Sequence, residues 1–160
     1  MELKAIPLTP PEGCNLVLGQ SHFIKTVEDL YEIMVTSVPQ AKFGLAFSEA
    51  SGPCLIRTEG NDPALVEAAA GNLKALASGH CFCLILKDAY PINILNAVKA
   101  CQEVATVFCA TANPAHAIVA ALPQGNGILG VVDGDAPKGV EGEDDKKKRR
   151  EFLRMIGYKK

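Results

Sequence analysis

The run Gly19-Gln20-Ser21-His22-Phe23-Ile24-Lys25-Thr26 puts one imidazole between an expected strand, Cys14 to Leu18, and an expected helix that opens at Thr26. An anion binds well at such a place. Unpaired backbone N–H groups and the positive end of the helix dipole favour negative charge at a helix start, and Lys25 adds an ammonium. The Thr26 hydroxyl can cap the helix while Asp29 answers from three residues on. A neutral imidazole beside a bound phosphate can act as a nucleophile, so the chemistry suggested is phosphoryl transfer. A half-buried structural histidine with one satisfied hydrogen bond fits the same local sequence.

Other polar residues gather at the ends of apolar stretches: Glu49 and Ser51, Asn61 and Asp62, Thr111 and Asn113, Asp133 and Asp135. Each has a structural explanation. Asp62 caps a helix, Asn113 precedes Pro114 in a turn, and Asp133 ends a hairpin. Together they would line one crevice at strand ends, where ligands bind in α/β sheets. His22 is then the nucleophile, Lys25 and the helix start stabilise the equatorial oxygens, and Asp133 or Glu49 orients the ring or accepts a proton. Gln20, Ser21, Glu49, Ser51, Asn61, Asp62 and Asn113 would contact substrate. The sequence fixes no cofactor, although Asp133 and Asp135 could hold a magnesium ion that accompanies a nucleotide phosphoryl donor. His80 starts a strand and His116 has only apolar neighbours, so both read as structural.

Two motifs fail on context. Gly125-Asn126-Gly127-Ile128-Leu129-Gly130 spells the dinucleotide fingerprint, but no helix follows its second glycine to hold a pyrophosphate, and a hairpin turn is expected instead. No P-loop or protein-kinase signature is present. Six cysteines occur without Cys-x-x-Cys or Cys/His ligand spacing, and Cys81, Cys83, Cys101 and Cys109 fall inside apolar patterns, which makes them small core residues and not a zinc site.

These residues need a scaffold, and the periodicity supplies one. Val27, Leu30, Tyr31, Ile33, Met34 and Val38 recur at helical spacing until Pro39. Lys42 to Phe47 and Cys54 to Thr58 form an expected hairpin. Asp62 and Pro63 open a helix that runs to Ser78 and closes at Gly79. Strands follow at His80 to Leu86 and Val104 to Ala110, with a third helix from Pro91 between them. Ala115 to Leu122 and Gly127 to Val132 make a second hairpin. A Gly- and acid-rich loop leads to an amphipathic final helix, Asp145 to Ile156, after which Gly157 would fold Tyr158 back on Leu153. The alternation predicts an α/β protein: a mixed sheet with helices on both faces, a three-layer α/β/α sandwich.

With 160 residues, 48% of them hydrophobic, the chain suits one domain. No cleavable leader and no run of 18 apolar residues is expected, which points to a cytoplasmic protein without a membrane partner. Formal charge is −2, from 16 basic and 18 acidic side chains, so no overall field favours nucleic acid. Lys146 to Arg150 reads as a solvated helix face, and no nucleic-acid partner is expected.

Five blocks, taken together, resemble the adenosine-specific kinases, a family of small archaeal and bacterial proteins. They are Gly19 to Leu30, Lys42 to Gly52, Gly60-Asn61-Asp62, Ala110 to Pro114 and Ile128 to Gly134, and they span nearly the whole chain. The resemblance implies a three-layer α/β/α fold, a homotrimer, a site for adenosine or AMP, and a histidine that carries phosphate, matched by His22. The family usually has cysteine where this chain has Ser48, so no catalytic thiol is expected there. The function expected is transfer of a phosphoryl group to or from adenosine through a phosphohistidine; a non-catalytic adenosine or AMP sensor is the alternative.

Overall fold

Along each central strand, successive apolar side chains point to opposite faces, and this alternation divides the buried residues into two clusters. Leu16, Leu18, Cys83 and Ile85 belong to one, whereas Val17, Leu84 and Leu86 belong to the other. The computed structural model describes residues 1–160. Its elements are β1 (Glu2–Leu8), β2 (Asn15–Ser21), α1 (Thr26–Ser37), β3 (Lys42–Ser48), β4 (Ile56–Gly60), α2 (Pro63–Leu76), β5 (Cys81–Lys87), α3 (Leu95–Ala100), β6 (Val104–Thr111), β7 (Ala115–Leu122), β8 (Gly125–Asp133) and α4 (Glu143–Met155). One 3-10 turn, Pro91–Asn93, precedes α3.

The fold is mixed α/β, with four helices and two antiparallel sheets. The larger has the strand order β4-β3-β5-β2-β6 and the smaller β1-β7-β8. A single mixed sheet was the expectation from the sequence, and it differs in two ways. First, α1 joins β2 to β3 and α2 joins β4 to β5, each pair running in one direction, but a third strand is inserted antiparallel between the members of each pair. Helical crossovers therefore coexist with a wholly antiparallel ladder. Second, β1, which the periodicity leaves unassigned because its residues are mostly exposed, pairs with β7 from Glu2↔Ala121 to Leu8↔Ala115. The β7–β8 hairpin thereby builds its own sheet.

Helix α2 and strand β7 cover one face of the larger sheet, where Leu65, Leu73, Leu76, Ala117 and Val119 are buried. Helices α1 and α3 cover the other with Leu30, Met34 and Val98. Gly44 permits the closest of these contacts: a Cβ there would stand 2.0 Å from the Leu65 carbonyl carbon, so α2 rests directly on the β3 backbone. No helix is long and apolar enough to cross a membrane.

Helix ends depart from the sequence expectations. Lys25, not Thr26, is the N-cap residue of α1, and it makes no side-chain cap; the buried Thr26 hydroxyl donates to the Phe23 carbonyl instead. Helix α2 does open on Asp62, whose Oδ1 accepts from the Ala64 and Leu65 N–H groups, but it closes at Ala77 with φ +48°, not at Gly79. Asn126 holds that ending, donating its backbone N–H to Ala77 and its side-chain amide to Leu76. Gly157 has φ +82°, as the final-helix pattern predicts, and the Tyr158 N–H donates to the Leu153 carbonyl, while the Tyr158 ring meets Tyr90 edge to face.

Candidate functional site

Strands β2 and β3 end, and β5 and β6 begin, at one pole of the larger sheet. The His80 N–H donates to Ser48, the Ser21 N–H donates to His80, and Ser21 pairs with Val104. Hydrogen bonding thus places Ser48, His80, Ser21 and Glu103 side by side across that pole, and His22 follows at once.

His22 is exposed but fixed. Both its backbone N–H and its ring Nδ1 lie 3.1 Å from the Glu103 carbonyl oxygen. A carbonyl only accepts, so Nδ1 carries the proton of the neutral ring and Nε2 presents its lone pair to solvent. The ring is oriented by this carbonyl, not by Asp133 or Glu49.

Beneath the ring lies a charged network. The Glu103 side chain is only 2% exposed; its Oε1 stands 2.6 Å from the Lys25 ammonium and its Oε2 accepts from the Cys101 thiol at 2.9 Å. Lys25 also donates to Asp29. Burial works to raise the Glu103 carboxyl, but the bonds donated by Cys101 and Lys25 outweigh it and hold the group down at about 2. Burial and the Glu103 bond push the Cys101 thiol up to about 11, so it is not a thiolate nucleophile. Asp29, then Glu103, hold Lys25 above the ordinary lysine range. The Lys25 ammonium that the sequence offers to an anion is therefore largely engaged: two of its three protons face carboxylates. Asp29, Cys101 and Glu103 form a cluster with the composition of a cation site, into which the Lys25 ammonium reaches.

Glu49 follows β3 at the same pole. Its Oε1 accepts from Arg57 at 3.0 Å. It also lines a cavity of about 600 Å³ together with Ser48, Gly79 and the end of α2. Ser51 sits in an exposed turn and accepts from the Cys54 N–H, and Gln20 is exposed on β2. Four buried side-chain atoms lack a hydrogen-bond partner: Ser21 Oγ, Glu49 Oε2, Arg57 Nε and Glu103 Oε1, the last having an ion-pair partner without an aligned donor. All four lie at this pole. Buried polar atoms are almost always paired, so their concentration marks a surface that a ligand or water completes. Cys54, Ala77 and His80 also have positive φ here, three of the four non-glycine residues that do.

The remaining sequence-predicted residues lie at the opposite pole, one strand length away, about 20 Å at 3.3 Å per residue. Asn61 bridges backbone, accepting from the Phe43 N–H and donating to Ala41, and Asp62 caps α2, so both are committed to the scaffold. Asp133 Oδ1 accepts from the Thr111 hydroxyl at 2.6 Å and from the Asn113 amide at 3.1 Å. These three residues line a cavity of about 770 Å³. Asp135 does not join them in a cation site; it is exposed near Lys138. The single crevice expected from the sequence is thus two regions within one chain.

The family model for adenosine specific kinase matches residues 6–159. The chain belongs to that family. A crystal structure of the PH1918 protein from Pyrococcus horikoshii OT3 is 42% identical, covers 99% of this chain and 98% of its own, and superposes with a TM-score of 0.94. A search of curated proteins gives no match.

In this adenosine specific kinase family member, one residue at the His22 pole escapes sequence reasoning. Glu103 is 81 positions from His22, and only the β2–β6 register joins them. His80 looks like an ordinary strand start, yet its φ is +55° and its ring stacks on Phe47 at 6.0 Å. A polar residue flanked by Gly79 was the one available hint.

Proposed function

We propose that this protein binds adenosine or AMP and moves a phosphoryl group through His22. The observation that carries the reading is the bond from His22 Nδ1 to the Glu103 carbonyl, which leaves Nε2 as an exposed, oriented nucleophile. The Nε2 lone pair attacks the phosphorus of a nucleotide donor, a P–N bond forms, and the P–O bond to the leaving group breaks with its electron pair. The Glu103 carbonyl stabilises the Nδ1–H of the resulting ring cation. An adenosine 5′-hydroxyl then attacks phosphorus, the P–N pair returns to Nε2, and the hydroxyl proton passes to solvent. The remaining Lys25 proton stabilises an equatorial oxygen; the N–H groups of Thr26, Val27, Glu28 and Asp29, which the sequence reading left free for an anion, already donate to the Phe23, Ile24 and Lys25 carbonyls.

Family membership supports the adenosine part of the reading. A homotrimer is part of it too, supported by the free edges of β6 and β8 and by exposed Leu129 and Val132 on β8. The test is intact mass before and after acid. The wild type is expected to gain phosphate that acid removes, and His22→Ala to gain none while staying folded; uptake by the variant would refute the assignment.

A further inference from the structure

Two imidazoles stand at the pole where β2 ends and β5 begins, and the proposed transfer uses only one. The His80 carbonyl accepts from the Ser21 N–H at 2.9 Å, so His80 faces the residue before His22 across the β5–β2 ladder. Neighbouring strands lie about 5 Å apart. The two rings lean to opposite sides: His80 stacks on Phe47 of β3, 6.0 Å between centroids and 17° between planes, whereas His22 is bound to the Glu103 carbonyl beside β6. More than one strand spacing therefore opens between them, room for a tetrahedral phosphoryl group and one attacking oxygen. In-line transfer needs that arrangement, because the incoming oxygen approaches phosphorus from the side opposite His22.

The other acid–base side chains around His22 are engaged. Lys25 binds Asp29 and Glu103, Cys101 donates to Glu103, and Glu49 is paired with Arg57. His80 has no such partner. No protein group hydrogen-bonds its ring, and neither ring nitrogen is among the buried orphaned atoms of this pole, so both face solvent. Its backbone has φ +55°, a left-handed conformation that glycine adopts at least cost. The chain thus keeps an imidazole where the backbone suits glycine better, and residues held in that way gather at working sites.

We infer that His80 is the general base of the second half of the reaction: its neutral ring takes the proton of the acceptor hydroxyl as that oxygen attacks phosphorus on His22, and then releases it to solvent. An O–P bond forms, the P–N pair returns to His22 Nε2, and the hydroxyl proton moves to the His80 ring, so atoms and charge balance. The first half needs no such group, because a nucleotide leaving group departs as a stable anion. The inference rests on the phosphohistidine route proposed above and adds the residue that moves the proton. Glu49 is the competing base, but its free oxygen is buried and Arg57 holds its charge.

Single-turnover transfer tests it, with ATP as phosphoryl donor and adenosine as acceptor. His80→Asn and His80→Gly both suit a left-handed backbone, so both are expected to fold and to take acid-labile phosphate on His22 at the wild-type rate. After ATP is removed, transfer to adenosine should fall about 10²-fold or more in each. Added imidazole should restore it in His80→Gly, where a free ring fits back against Phe47. Wild-type transfer in both variants, or slow transfer that imidazole leaves unchanged, would overturn the inference while the His22 route stands. Phosphate uptake that falls along with transfer would overturn it too, by making His80 a support of the pole. A wild type that takes no phosphate from ATP, or passes none to adenosine, would overturn the underlying reading and this inference together.

Discussion

The His22 ring is held by the backbone of Glu103, and Glu103 is held by its own buried side chain: one residue orients the imidazole through its carbonyl and anchors that carbonyl through Lys25 and Cys101. The carbonyl fixes which ring nitrogen is free. Phosphate on His22 is therefore expected at Nε2, and two-dimensional phosphorus–proton NMR of the phosphorylated protein distinguishes the two ring positions. Phosphate at Nδ1 would require the Glu103 contact to break first.

The same network makes stability depend on pH. The Glu103 carboxyl is held at about 2 against an ordinary value of 4.5, so its contribution is fully present above that ordinary value and is lost as pH falls through about 2. Glu103→Gln removes the charge that Lys25 and Cys101 address. Urea unfolding at neutral pH should show the variant less stable by about 1–3 kcal/mol, since hydrogen bonds to a buried charged group are of that order. Between pH 4.5 and 2 the stability curve of the variant should be flatter than that of the wild type. Parallel curves would mean that another group carries the acid sensitivity.

Periodicity made the helices and most strands legible because those elements bury one face locally: the α1 spacing from Val27 to Val38 and the Asp62-Pro63 start of α2 are visible in a few residues. What connects distant residues was not legible. Lys25 and Asp29 are four apart and could have been paired by inspection, but their tie to Glu103 depends on β6 lying beside β2. The placing of Asp133 in the crevice of His22 failed for the same reason. Strand-end residues look alike in a sequence, and only the direction of each strand decides which pole they reach.

The cysteines give a direct check on the packing. Burial raises the thiols of Cys14, Cys81 and Cys83, and Cys109 is pushed up to about 11 by burial, whereas Cys54 sits exposed in the β3–β4 turn. Because the thiolate is the reactive form, a thiol reagent at pH 8 should modify Cys54 in a fast phase, the half-buried Cys101 and Cys109, both pushed up to about 11, slowly, and the buried Cys14, Cys81 and Cys83 only as the protein opens. Cys54→Ser should abolish the fast phase. A second fast thiol in that variant, mapped to Cys14, Cys81 or Cys83, would show that the apolar cluster beneath α2 is open to solvent.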